Sequence, residues 1–186
     1  VTLDALDIWK QTFEAQVPPT SDPDWPDNLA NWYAERLDTP KMSLPGITIA
    51  VPPLPVVFGK AAFRAVYATA AIGESKVQFA SKLADAWGQG MQAATVAVKA
   101  GDSIGTPSPT TTWSVVSSSV FDTASIDAGE NKILELASAP NVKDAKDSAI
   151  IQKLYEATLL LTVTTTGSDS VTPTPNPLVD TARGVA

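Results

Sequence analysis

The sequence contains no cysteine and no histidine. The first absence excludes disulfides, thiolate nucleophiles and zinc–thiolate sites. The second removes the side chain that most often serves as general base near neutral pH. Arginine is scarce: Arg36, Arg64 and Arg183 stand among 13 basic residues, which 20 acidic ones outweigh to give a net charge of −7. A nucleic-acid binder needs a concentrated Lys/Arg face to release counterions from phosphates, so no nucleic-acid partner is expected. No asparagine opens an Asn-x-Ser/Thr sequon. Long uncharged apolar runs are missing too. The most apolar stretch, 54–72, carries Lys60 and Arg64 and makes a poor membrane span, so no membrane partner is expected. The opening residues show a polar, charged helical pattern rather than the basic-then-apolar layout of a signal peptide, and a cytoplasmic origin is the simplest expectation.

What is present suits a globular fold. At 186 residues, with 44% hydrophobic content and a mean hydropathy near zero, the chain can bury one ordinary core or two small halves sharing one. Leu6, Trp9, Phe13 and Val17 recur at helical spacing, predicting a helix over 2–16 that Pro18-Pro19 stops. Residues 21–27 read as the start of a second helix, whose apolar stripe is Leu29, Trp32, Tyr33 and Leu37. Between Pro40 and Pro55 five prolines forbid a helix, yet Ile47, Ile49, Val51 and Leu54 are strongly apolar. That pattern suits an edge strand or an extended arm, laid over its own subunit or docked on a neighbour. Helices are then expected over 57–71, over 76–99 with Leu83, Trp87 and Met91 on one face, from a capping box at Asp127 to Pro140, and over 143–161. Gly88 and Gly90 beside Trp87 point to close approach by another helix. Strand propensity marks 110–120. The expected fold class is mainly α with short β or extended segments. The expected division is 1–56, N-terminal helices and a Pro-rich arm, and 57–186, a helical core.

That core contains an internal similarity. Residues 94–103, ATVAVKAGDS, match 161–170, LTVTTTGSDS, and Thr106-Pro107-Ser108-Pro109 matches Thr172-Pro173-Thr174-Pro175 once Gly105 is allowed as an insertion. Upstream, Leu83 and Trp87 fall opposite Ile150 and Leu154. The reading is a duplicated helical unit, about 76–109 and 143–175, with two proline-locked extended exits. Proline fixes φ and lowers the entropy lost when such a segment docks.

Apparent catalytic motifs fail on chemistry. Gly101-Asp102-Ser103-Ile104-Gly105 copies the G-x-S-x-G nucleophile elbow and resembles the nucleophile block of GDSL esterases, but those families remove the serine proton with a histidine. The bland reading is a Gly/Asx turn. Asp22-x-Asp24-x-x-Asp27 lacks the glycine and the twelfth-position acid of a calcium loop and reads as helix capping. Pairs such as Asp144 with Asp147 and Glu130 with Glu135 sit among lysines and read as solvated ion pairs. No phosphate-binding glycine loop is present. No catalytic, cofactor-binding or metal residue is therefore assigned, and no cofactor is expected. Of the five tryptophans, Trp9, Trp32 and Trp87 lie on apolar stripes and read as core. Trp25 and Trp113 do not, and join Ile47, Ile49, Val51, Leu54, Pro107, Pro109, Pro173 and Pro175 as interface candidates.

A helix running into Ala/Thr-x-Val, small polar residues and then Thr-Pro-x-Pro, twice in one chain, resembles small virion structural proteins of tailed bacteriophages. Neck, tail and baseplate components of that kind form rings and exchange extended arms. The resemblance implies a non-enzymatic virion protein, assembled in the host cytoplasm, whose partners are further copies of itself and other virion proteins. Two other readings stand beside it: a soluble module binding peptide or glycan through Trp25, Trp113 and the loops, and a serine hydrolase at Ser103.

Overall fold

The computed structural model describes residues 3–37, 56–96, 113–114, 121–140, 148–162 and 172–173. They are mainly helical: α1 (Leu6–Gln16), α2 (Trp25–Leu37), α3 (Lys60–Val66), α4 (Lys76–Gln92), α5 (Thr123–Leu134), which runs on into a 3-10 turn over Glu135–Ser138, and α6 (Ala149–Leu159). Two antiparallel pairs of two-residue strands accompany them. β1 (Val56–Val57) meets β2 (Thr95–Val96) in the register Val56↔Val96 and Val57↔Thr95, and β3 (Trp113–Ser114) meets β4 (Thr172–Pro173).

The helix α4 buries Phe79, Ala80, Leu83, Ala84, Ala86, Trp87, Gly88, Gly90 and Met91 and keeps a solvent face along Ser81, Lys82, Asp85, Gln89 and Gln92. Its wide apolar face packs against α3, α5 and the 3-10 turn and meets side chains of α2, which makes it the element the others gather round. Trp25 meets Phe79 near the start of α4, while Tyr33 meets Trp87 and Met91 near its end. These contacts set α2 parallel to α4. On α5, Gly129 faces Trp87, and Lys76 donates to the Ala139 carbonyl, so α5 runs the opposite way. Lys153 pairs with Glu135 at one end of α6, and Thr162 meets Asp122 at the other, which returns α6 to the direction of α4. For α3, Lys60 reaches Asn31 and Arg64 pairs with Asp27, antiparallel to α2. The Ala71 N–H donates to the Thr20 carbonyl, bringing the α1–α2 turn beside the α3–α4 turn. One buried cluster takes side chains from both sides of residue 56, from Trp9 to Leu161.

Several element ends differ from the sequence reading, each because of a distant tie. The third helix starts at Lys60 rather than 57 because Val56–Val57 pair with β2 and Gly59 N–H donates to the Gly90 carbonyl at 3.0 Å. The same pairing ends α4 at Gln92 rather than 99. The fifth helix begins at Thr123, so Asp127 lies inside it and makes no capping box. Its start is fixed where Asp122 N–H donates to the Thr162 carbonyl at 2.9 Å and Thr162 Oγ1 donates to Asp122 Oδ2 at 3.1 Å. The sixth is shorter than 143–161, opening at Ala149 after Ser148. By contrast α4 starts as local chemistry dictates. Ser75 Oγ accepts from Gln78 N–H, Gln78 Oε1 accepts from Ser75 N–H, and Gly73 takes φ +76° in the turn before it.

Candidate functional site

The interface candidates fall into three groups. Trp25 requires correction: it is fully buried, edge-on to Tyr67 at 5.3 Å and tilted against Phe79 at 5.8 Å. It opens α2 and faces inward, so it belongs to the core and offers no surface to a partner. Trp113 and Pro173 are cross-strand partners in the β3–β4 pair. Ile47, Ile49, Val51, Leu54, Pro107, Pro109 and Pro175 lie outside the described residues, as do Ser103, Asp144 and Asp147.

The core polar groups are arranged for packing. Trp87 Nε1 donates to the Tyr33 hydroxyl at 2.8 Å, which lies 2.7 Å from Thr158 Oγ1, and Thr158 Oγ1 is 2.6 Å from the Leu154 carbonyl. A hydroxyl has one hydrogen, so Thr158 donating to Leu154 leaves Tyr33 to donate to Thr158. The chain of bonds joins α4, α2 and α6 in the middle of the core. Burial pushes the Tyr33 phenol well above its ordinary range, against the smaller opposing effect of its hydrogen bonds, and keeps it neutral. Sequence reasoning placed Tyr33 on an apolar stripe, and no local signal marked its hydroxyl as the junction of three helices.

Of Glu130 and Glu135, both expected in solvated ion pairs, Glu135 is in one and Glu130, among the described residues, is not. Glu135 takes Lys132 at 2.7 Å and Lys153 at 2.6 Å, whose hydrogen bonds hold its carboxyl below the usual range. Glu130 stands against Gly88, and burial, then Asp127 and Asp85, push its carboxyl up. Asp22 Oδ1 accepts from the Asp24 N–H at 2.8 Å, an Asx turn leading into α2, and Asp27 pairs with Arg64. Among the described residues no group of three or more carboxylates is placed to hold a metal ion. Nor, among them, is any helix long and apolar enough to cross a membrane.

The helix directions set the two ends of the bundle apart. At one end, the turn pole, lie the α1–α2 turn, the α3–α4 turn, the 3-10 segment and Ser148. At the other, the exit pole, lie Leu3, Leu37, Val56, Val96, Phe121 and Thr162. The sequence stretches that follow Leu37, Val96 and Thr162 thus all adjoin the core at one end. The two matched helix ends are held alike there. Ala94 and Leu161 are both buried, and each next residue is bonded to an incoming segment: Thr95 to Val57, Thr162 to Asp122. Val57, Leu159 and Leu160 at this pole are large apolar side chains left well exposed.

Comparison with protein-family models, with curated proteins and with solved structures finds no match to this chain.

Proposed function

We propose that this chain is a non-enzymatic structural protein that assembles into homo-oligomers through the segments leaving the exit pole, in the manner of a neck, tail or baseplate component of a phage virion. The observation that carries the reading is the gathering of Leu37, Val56, Val96, Phe121 and Thr162 at one end of a packed core. The sequence that leaves there is poor in charge. Over 38–55 only Asp38 and Lys41 are charged, and over 163–186 only Asp169, Asp180 and Arg183. Thr, Val, Ser and Pro dominate instead. Such sequence has little of the charge with which proteins guard free strand edges and much of the composition that pairs as strands. The likeness of the two helix ends, each bonded to an incoming segment, supports the duplicated unit with two exits. In a monomer the exposed Val57, Leu159 and Leu160 are a cost, whereas in an assembly they are contact surface.

The binding-module reading loses support from Trp25, now a core residue. Sedimentation of the purified full chain, with imaging of its particles, tests the assembly reading. A discrete closed oligomer is expected. A monomer at all attainable concentrations, with no partner recovered from its source particle, overturns it.

A further inference from the structure

At the turn pole, opposite the exits, the surface between the α3–α4 turn and the first turns of α4 forms an open groove of about 450 Å³ lined by Ile72, Gly73, Glu74, Val77, Gln78 and Lys82. Ile72 is 72% exposed and Val77 65%, more than any other large apolar side chain of the described core. Both line the groove together with Glu74 and Lys82, whose side chains are tied: Tyr67 donates to Glu74 Oε2 at 2.6 Å, and Lys82 pairs with Glu74 Oε1 at 2.5 Å while lying 5.5 Å from the centre of the Tyr67 ring. Ser75 caps α4. An apolar strip on so well-tied a base is costly in water and suited to an apolar strand-like ligand.

We propose that this groove is the acceptor for segment 38–55 of a second copy of this chain. The inference rests on the assembly reading and adds where the contact is made. Segment 38–55 presents Ile47, Ile49 and Val51 at alternate positions, with only two charges, both near its start; alternate side chains of an extended strand point to one face. The stretch that adjoins the turn pole, 141–147, reads Asn-Val-Lys-Asp-Ala-Lys-Asp, too charged to cover an apolar strip. Chain length favours a neighbour over the same copy. Fastened at Leu37 and Val56, both at the exit pole, 38–55 reaches outward no more than about 30 Å with both limbs fully stretched. The 17-residue α4 alone spans about 25 Å, and the groove lies at its far end. A route down its own flank leaves almost no slack for the return turn, whereas the groove of a copy stacked end to end lies directly ahead. Donor and acceptor at opposite poles make a heterologous contact, which closes into a ring where the rotation permits.

The lack of cysteine allows a clean test. Chains carrying Ile47→Cys and chains carrying Val77→Cys are mixed and mildly oxidised. Disulfide-linked heterodimers are expected in clear excess over the linked homodimers of either chain alone. In parallel, the full chain with Ile72→Asp and Val77→Asp is expected to keep its circular dichroism, since both side chains are exposed, and to self-associate about 10-fold or more weakly. A disulfide that forms only within a single chain carrying both cysteines overturns the proposal. Unchanged self-association in the Asp variant also overturns it while leaving the assembly reading standing. An unsubstituted chain that stays monomeric sinks both.

Discussion

The hydroxyl of Tyr33, on α2, joins three helices by accepting from Trp87 Nε1 on α4 and bonding Thr158 Oγ1 on α6. Removing it in Tyr33→Phe leaves the ring packing against Phe58 and Trp9 intact but strands Trp87 Nε1, a buried donor, without its acceptor. A buried polar group left unpaired costs about 1–3 kcal/mol, and urea unfolding is expected to show a loss in that range. Thr158 keeps its bond to the Leu154 carbonyl, so the loss falls on α4 and α2. The same variant has a second signature in alkali. Burial raises the folded Tyr33 phenol above its unfolded value, so the folded chain keeps a proton that the unfolded chain gives up. Nothing is lost below the unfolded value, about 10. As pH rises beyond it, stability falls by about 1.4 kcal/mol per pH unit for such a tyrosine. The Phe variant is therefore less stable at pH 7 yet shows a shallower decline between pH 10 and 11, and parallel declines would contradict the role given to burial. Residue identity was readable to differing depth. Trp9, Trp32 and Trp87 lie mid-stripe, where helical spacing shows their burial. Trp25 stands between Pro23 and Pro26 at the very start of its helix, where too few residues precede it to define a face.

At the scale of elements, the meeting of α4 and α5 is set by glycines that look alike in sequence and differ in what they face. A methyl group on Gly129 would enter the Trp87 ring, which is fully buried and locked by its bond to Tyr33. A methyl group on Gly88 would meet the end of the Glu130 side chain, which is half exposed and free to swing away. Replacing helical glycine by alanine gains about 1 kcal/mol in propensity, whereas overpacking a rigid core costs about 1–3 kcal/mol. Gly129→Ala is thus expected to lower the unfolding midpoint and Gly88→Ala to leave it unchanged or raise it. Equal effects would show that Trp87 yields. The close approach at Gly88 and Gly90 was legible beside Trp87, although the group meeting Gly90 is the Phe58 ring, which is carried before α3 rather than on a helix. Helix interiors were legible from their apolar spacing, and the α4 start is a local capping box. The ends of α3, α4 and α5 were not legible, because each is fixed by a backbone bond to a residue far along the chain: Gly59 to Gly90, Val57 to Thr95, Asp122 to Thr162. Periodicity carries no information about such ties.

At the scale of the whole molecule, the proposed assembly places stability and association in different parts of the chain. The buried cluster of the described residues draws on all six helices and on Val56, Phe58, Phe121 and Leu161 at the exit pole. The stretch 38–55 is anchored at Leu37, which is fully buried, and at Val56, which is paired with Val96 and likewise buried. Both anchors lie at one pole and α2 packs against β1, so a short flexible linker can join them. Replacing 39–54 by such a Gly/Ser linker removes Ile47, Ile49, Val51 and Leu54 together with four of the five prolines in the stretch and keeps every described contact. Loop-closure entropy changes only slowly with loop length. The linker variant is accordingly expected to match the full chain in helical circular dichroism and cooperativity of unfolding, with a midpoint in urea little altered, and to run as a monomer in sedimentation. An oligomer that survives the replacement would move assembly to the exits after α4 and α6. A variant that loses its helical signal would place 39–54 in the folding core, and the stretch would then be an overlay on its own subunit rather than a contact between copies.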